Sequence, residues 1–260
     1  MEILLKQLLL KKKLLIPSIY KILFKLFSSY SVKNADQIRS ISSFTEEQVK
    51  AYGYQGNFVR FPAWINLDKF LNAKVTRDSN NDFKIIFVGS VTERKNPELI
   101  VKAISEIDGE ISLEIIGPTP NKSYLNKLKG SIHNSQHKEN ILLTPFTALD
   151  ELIQKYSNAN LFILASKSEG LGRVVIEAQA TACPVLVSSN TGAVDLIIDN
   201  ETGYIFENDN LNDLKDKIKN IIDNQLYSVQ VGVNGKSFVT QNHTIENFKF
   251  GYKKLFDLVS

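Results

Sequence analysis

Glu169-Gly170-Leu171-Gly172-Arg173-Val174-Val175-Ile176-Glu177 follows closely on the apolar run Leu161-Phe162-Ile163-Leu164. The apolar run reads as a buried strand, so the glycines fall where a strand gives way to a helix. Junctions of this kind are where α/β sheets hold anionic ligands, because strand ends gather there and the helix N-terminus offers unpaired N–H groups. Gly170 and Gly172 let backbone approach a ligand without a Cβ in the way. A glutamate at such a site binds hydroxyls rather than phosphate, and a ligand that carries both groups is a nucleotide-sugar. An isolated helical glutamate is usually a solvated surface charge. Glu177, however, is flanked by Val174, Val175, Ile176 and Ala178, which turns its face toward the sheet.

Outward from this stretch, strand-like and helix-like segments alternate as in a parallel sheet with helical crossovers. Phe83 to Val88 is a strong strand ending at Gly89. A helix follows from Asn96-Pro97 to about Ile107, with Asn96 as N-cap and Pro97 at the first helical position. The pattern continues with a strand from Ile111 to Ile116 closed by Gly117, then a polar region. A short strand at 141–143, a helix over about 149–157 and the run at 161–164 come next. The helix carrying Glu177 ends near Ala182, strands follow at 185–187 and 204–206, and two or three amphipathic helices close the chain. The predicted fold class is α/β, a doubly wound, Rossmann-like parallel sheet.

Several ordered motifs resemble the donor-binding half of the GT-B glycosyltransferases, specifically the retaining glycosyltransferase family 4. They are Ser168-Glu169-Gly170-Leu171-Gly172, Glu177-Ala178-Gln179-Ala180, Pro184-Val185, Thr191-Gly192-Ala193 and Asn200-Glu201-Thr202-Gly203. The resemblance implies a nucleotide-diphosphate-sugar donor, with Glu169 touching the transferred sugar and Glu177 holding the ribose hydroxyls. Gly170, Leu171, Gly172 and Arg173 form the turn between them, and backbone near Gly117 and Phe146 faces the base. The family places Arg directly after the glycine corresponding to Gly89 and Lys five residues later, both directed at the diphosphate. Lys95 matches, while Ser90 stands where the arginine is expected. Arg94 is a neighbouring cation at a different position. As a bare sequence, Glu93-Arg94-Lys95 also reads as a solvated loop before a helix.

The resemblance also divides the chain. Residues 66–242 correspond to the nucleotide-sugar-binding domain, 1–65 to a remnant of the acceptor-side domain with its crossover, and 243–260 to a helix that packs back on that remnant. Asn34 to Ser42 resembles the last strand and turn of the acceptor-side domain, and Phe58 to Asn66 the crossover, with Ala63 and Asn66 departing from the usual pattern. The earlier part of that domain, with its acceptor site and the histidine it supplies, has no counterpart. The implied activity is transfer of a hexosyl group to a saccharide or lipid-linked acceptor in polysaccharide or glycolipid synthesis. Two further readings stand beside it: a non-catalytic nucleotide-sugar-binding subunit whose partner chain supplies the missing domain, and an inactive truncated product.

Composition narrows the partners. A formal charge of +3 and a lone cysteine give no electrostatic or zinc-ligand reason for a nucleic-acid partner. Cys183 excludes an intrachain disulfide and fits a cytoplasmic setting. No Asp-x-Asp pair occurs, so no metal or other cofactor is expected; helix terminus and Lys95 carry the diphosphate charge instead. His133 and His137 are spaced to share a helix face, but their surroundings offer no further ligand. The leucine- and lysine-rich segment Met1 to Tyr30 is broken by Lys11, Lys12 and Lys13, too soon for a membrane span. The lysines follow the first apolar stretch, unlike a signal peptide. Beyond Pro17, Ile19, Ile22, Leu23, Leu26 and Phe27 share an arc opposite Lys21 and Lys25. That pattern suits packing on a protein domain or peripheral contact with an anionic membrane surface.

Overall fold

The central strands of the large sheet send alternate side chains into two separate apolar layers. A computed structural model describes residues 16–77 and 82–258. In β3 (Phe83–Val88), Ile85 and Phe87 enter one layer and Ile86 and Val88 the other. In β6 (Leu161–Leu164), Leu161 and Ile163 separate from Phe162 and Leu164 in the same way. Period-two alternation with both faces covered is why these segments read as unbroken apolar runs.

The other strands are β4 (Ile111–Ile116), β5 (Ile141–Thr144), β7 (Val185–Ser188) and β8 (Tyr204–Phe206). The six lie in the order β5-β4-β3-β6-β7-β8, all neighbours parallel. The chain runs outward from β3 to β5 and then returns to place β6 against β3. That reversal makes the β3–β6 boundary the topological switch point.

Ahead of this sheet lie helix α1 (Ile16–Lys33), strand β1 (Ile38–Ser40), helix α2 (Ser43–Ala51) and strand β2 (Phe58–Arg60). β1 and β2 form a separate two-stranded parallel sheet. The short helix α3 (Asp68–Leu71) precedes β3. Helices α4 (Pro97–Ile104) and α5 (Lys122–His133) cover one face of the large sheet, and α6 (Leu149–Asn158) and α7 (Arg173–Ala180) the other. Three helices finish the chain: α8 (Leu211–Asp223), α9 (Gln225–Asn242) and α10 (Ile245–Asp257). α10 returns to β2, where Phe61 meets Phe248 and Tyr252 edge-on, at centroid separations of 5.9 and 4.9 Å. The Arg39 guanidinium lies 4.5 Å from the Phe61 ring centroid.

Three local expectations need correction. Asn96 does not cap α4: its backbone is left-handed, with φ 52°, and its side-chain amide donates to Asp209 Oδ1 at 3.0 Å. Pro97 has no N–H, and the next two helix amides are taken elsewhere, that of Glu98 donating to the Tyr124 hydroxyl at 3.4 Å and that of Leu99 to Asn96 O at 3.1 Å. His133 and His137 do not share a helix face, because α5 ends at His133 and His137 is buried with Nε2 2.9 Å from the Ile107 carbonyl. α4 also stops at Ile104 rather than near Ile107.

α7 ends at Ala180 in a Schellman arrangement. The amide of Cys183 donates to Ala178 O at 3.0 Å and that of Ala182 to Gln179 O at 2.8 Å, with Ala182 left-handed at φ 58°. Among the described residues no helix is long and apolar enough to cross a membrane. Ile22, Leu23, Leu26, Phe27 and Tyr30 on α1 are exposed.

Candidate active site

The loops that follow β3 and β6 leave adjacent strands at the switch point and are stitched together there. The Lys167 amide donates to Arg94 O at 2.8 Å, and Arg94 returns a guanidinium bond to Ser168 O at 2.7 Å. The Lys95 ammonium pairs with Glu169 Oε2, which also lies 3.3 Å from Arg94 Nη1. Both Lys95 and Glu169 are largely shielded, with side chains 13% and 19% exposed, so their attraction is screened less than that of a surface pair. The resemblance implies contacts of Lys95 and Glu169 with different parts of a ligand, and the structure brings the two side chains into direct contact. Arg94, a neighbouring cation in the sequence, joins the same carboxylate.

Glycines shape the ground around this pair. Gly172 is left-handed at φ 78° and precedes α7 with no side-chain cap; its carbonyl takes the Val175 amide at 2.8 Å, which leaves the Arg173 and Val174 N–H groups at the open end of the helix. Along the sheet edge, Gly117 has φ 144°, and a Cβ there would lie 2.1 Å from Gly89 O. Only glycine lets the ends of β3 and β4 approach so closely. Ser90 is half-buried beside this contact. Phe146, just past β5, is 81% exposed. Ser90, Gly117 and Phe146 thus follow the outward strand order from the switch point, each at the C-terminal end of its strand.

Glu177 sits one turn into α7, half-buried. Burial raises its carboxyl above the usual carboxylate range, against the opposing pull of Arg173 and Tyr156. Tyr156 is fully buried, and its hydroxyl is pushed well above the usual tyrosine range, by burial first and by the Glu177 charge second. The phenol oxygen makes no hydrogen bond of ordinary geometry. Leu171 is buried, whereas Arg173 is exposed on the first turn of α7.

Sequence reading did not find the outer support of this loop. The Gly192 amide donates to Glu169 O at 2.8 Å, and Ser42 Oγ, from the turn before α2, donates to Gly170 O at 2.5 Å. Thr191-Gly192-Ala193 was visible as a motif; its contact with the glutamate loop was not. On the far side of Leu171, a cavity of about 240 Å³ is lined by Arg60, Phe61, Asp195 and His243, among others. Burial pushes His243 down to about 4.

The family described as "Glycosyl transferases group 1" matches residues 68–238. An uncharacterised glycosyltransferase of Methanocaldococcus jannaschii is 27% identical over 268 residues, covering 97% of this chain and 71% of that protein. The capsular polysaccharide biosynthesis glycosyltransferase CapM of Staphylococcus aureus is 25% identical over 198 residues, covering 75% of this chain and 51% of CapM. The chain therefore spans between half and three quarters of the length of these relatives. Among solved structures, Anabaena HepE in complex with UDP-glucose aligns with a TM-score of 0.76 at 13% identity, over 87% of this chain and 65% of that one.

Proposed function

Because this chain belongs to the group 1 glycosyl transferases, we propose that its switch-point site binds a nucleotide-diphosphate-sugar and supports transfer of the sugar to an acceptor hydroxyl with retention of configuration, as in glycosyltransferase family 4. The observation that carries this reading is the convergence of Lys95, Arg94 and Glu169 beside the uncapped start of α7. A diphosphate entering there exchanges the Glu169 partner of Lys95 for its own oxygens. Lys95 and the open N–H groups of α7 then stabilise the charge that grows as the diphosphate leaves. Glu169, released, accepts from sugar hydroxyls and orients the sugar for attack.

Glu177 takes the ribose. Its raised pKa means that burial makes its charge costly, and two hydroxyl donors offset part of that cost. Gly117 and Phe146 line the run toward the base, and Ser90 stands beside the diphosphate. The reading invokes neither metal nor cofactor. That HepE was crystallised with UDP-glucose on a similar fold, and that CapM acts in capsular polysaccharide synthesis, supports a nucleotide-sugar donor and a hexosyl group destined for a saccharide or lipid-linked acceptor.

The acceptor side is proposed to come from a further domain or a partner chain. The apolar face of α1 is where such a domain, or an anionic membrane surface on the cytoplasmic side, would bear. Ser90, in place of a second phosphate-facing cation, favours one alternative: a subunit that binds nucleotide-sugar without turning it over.

Calorimetric titration of the chain with UDP, GDP and ADP tests the donor site. One nucleotide is expected to bind, with affinity lowered roughly tenfold or more by Lys95→Ala and lost or strongly reduced in Glu177→Ala. A folded chain that binds none of the three sinks the proposal.

A further inference from the structure

Ser42 plays no part in the donor reading, yet it is fully buried and reaches across the molecule to the glutamate loop. Its hydroxyl donates to Gly170 O at 2.5 Å, across 128 residues of sequence. The contact exists because Gly192 has no side chain: a Cβ there would lie 1.9 Å from Gly170 O and 2.4 Å from Ser42 Oγ. The Gly192 amide holds the preceding carbonyl, that of Glu169, at 2.8 Å. Two successive peptide planes of the loop are therefore fixed from outside it. On the other side of Glu169 the Ser168 carbonyl accepts from Arg94 at 2.7 Å; with the rigid peptide planes on both sides of Glu169 held, the direction in which its side chain leaves the backbone is fixed.

A second set of bonds anchors the same junction. The Ser43 amide and hydroxyl donate to the two carboxylate oxygens of Asp195, at 2.6 and 2.5 Å, three residues beyond Gly192. Arg60 Nη1 approaches Asp195 at 3.4 Å while Arg60 Nη2 pairs with Glu46 at 2.6 Å. The β1-α2-β2 unit is thereby fastened to the turn that carries Gly192.

We infer that Ser42 is a positioning residue for Glu169: through Gly170 and Gly192 it sets the aim of the sugar-facing carboxylate, so that a unit holding no donor residue tunes the donor site. The inference rests on the donor reading of Glu169 given above. Ser42 also caps α2, accepting from the Thr45 amide at 3.2 Å, while its own amide donates to Thr45 Oγ1 at 3.1 Å. One hydroxyl can serve both ends, since it donates once and accepts separately. Thr45→Ala removes only the return half of the capping box, the Ser42 amide bond to Thr45 Oγ1, and leaves both bonds of the Ser42 hydroxyl in place, so it reports what loosening the first turn of α2 does without disturbing the Gly170 bond.

The test uses the full chain as Ser42→Ala, Thr45→Ala, Glu169→Gln and the Ser42→Ala/Glu169→Gln pair. UDP-glucose, GDP-mannose and ADP-glucose are each titrated against the parent nucleoside diphosphate. Ser42→Ala is expected to leave nucleoside diphosphate affinity within about twofold and to weaken the matching nucleotide-sugar roughly three- to tenfold, an effect that vanishes when Glu169 is already Gln. Thr45→Ala is expected to change neither. Equal losses for both ligands, or additive effects in the pair, overturn the inference.

Amide hydrogen exchange over 188–196 reads the clasp without any ligand. Ser42→Ala should speed exchange there and Thr45→Ala should not. If no nucleotide binds the wild type, the donor reading falls and exchange alone decides; unchanged exchange in Ser42→Ala overturns the clasp whatever the nucleotides do.

Discussion

The two parallel sheets of this molecule make a controlled contrast. The six-stranded sheet is covered on both faces, and Phe87, Phe162, Leu161 and Ile163 within it are sealed from solvent. The two-stranded sheet has three-residue strands and no core of comparable size. Parallel strands are rarely stable without cover on both faces, and two strands alone are marginal. The small sheet borrows its cover: α10 supplies Phe248 and Tyr252 to Phe61, and the bonds from Ser42 and Ser43 tie its turn to the large lobe. One sheet is stabilised by its own interior, and the other by what it touches.

The largest expected effect lies inside the large sheet. Phe87→Ala removes a fully buried ring from the layer containing Ile100, Ile104 and Leu113, and should cost about 3–5 kcal/mol in denaturant unfolding. A loss under about 1 kcal/mol would mean that the layer collapses around the gap and that the contrast between the sheets is smaller than burial indicates.

What the sequence revealed follows the same division. Phe83–Val88 and Leu161–Leu164 were legible as strands because burial on both faces writes an unbroken apolar run. The strand-to-helix turn that carries Glu169 was legible from its glycines, and with it the candidacy of Glu169 and Glu177. Contacts between distant segments were not. Lys95 and Glu169 are 74 residues apart and meet only because β6 returns to β3, a crossover that no local pattern encodes. Ser42 reads only as the end of a strand and turn, and its bond to Gly170 depends on a glycine at position 192 whose missing side chain makes room for it. Asn96 misled because Asn before Pro is a good capping signal, and a distant acceptor, Asp209, took the side chain instead.

The junction between the two regions supplies a smaller effect, dependent on pH. His243 lines the cavity shared by Arg60 and Phe61 on one side and Leu171 and Leu196 on the other. Burial holds it near 4 in the folded chain, below its ordinary value of 6.5. The unfolded chain therefore binds the extra proton first as pH falls. Stability from this group is present above about 6.5 and is lost as pH drops toward 4, by up to about 3 kcal/mol. Glu177 works in the opposite sense, since its raised pKa makes its charge a cost as pH rises through the carboxylate range. Thermal melts between pH 7 and 4 should show a decline that His243→Gln flattens. An identical slope in the variant would place the titrating group elsewhere.

The smallest expected effect is on α1. Phe27 is 69% exposed, and Ile22, Leu23 and Leu26 are exposed with it along the helix. The helix is fastened near its end, where Ser29 Oγ donates to Tyr52 O at 2.7 Å, and that bond does not depend on the Phe27 ring. If the face is bare in solution, Phe27→Ser changes stability by no more than about 0.5 kcal/mol, because an exposed side chain has little burial to lose. Measuring the melt at two chain concentrations sharpens the result. A loss well above 1 kcal/mol that grows with concentration would mean that another copy covers the face. In that case α1, like the small sheet beside it, would be stabilised by what it touches rather than by a core of its own.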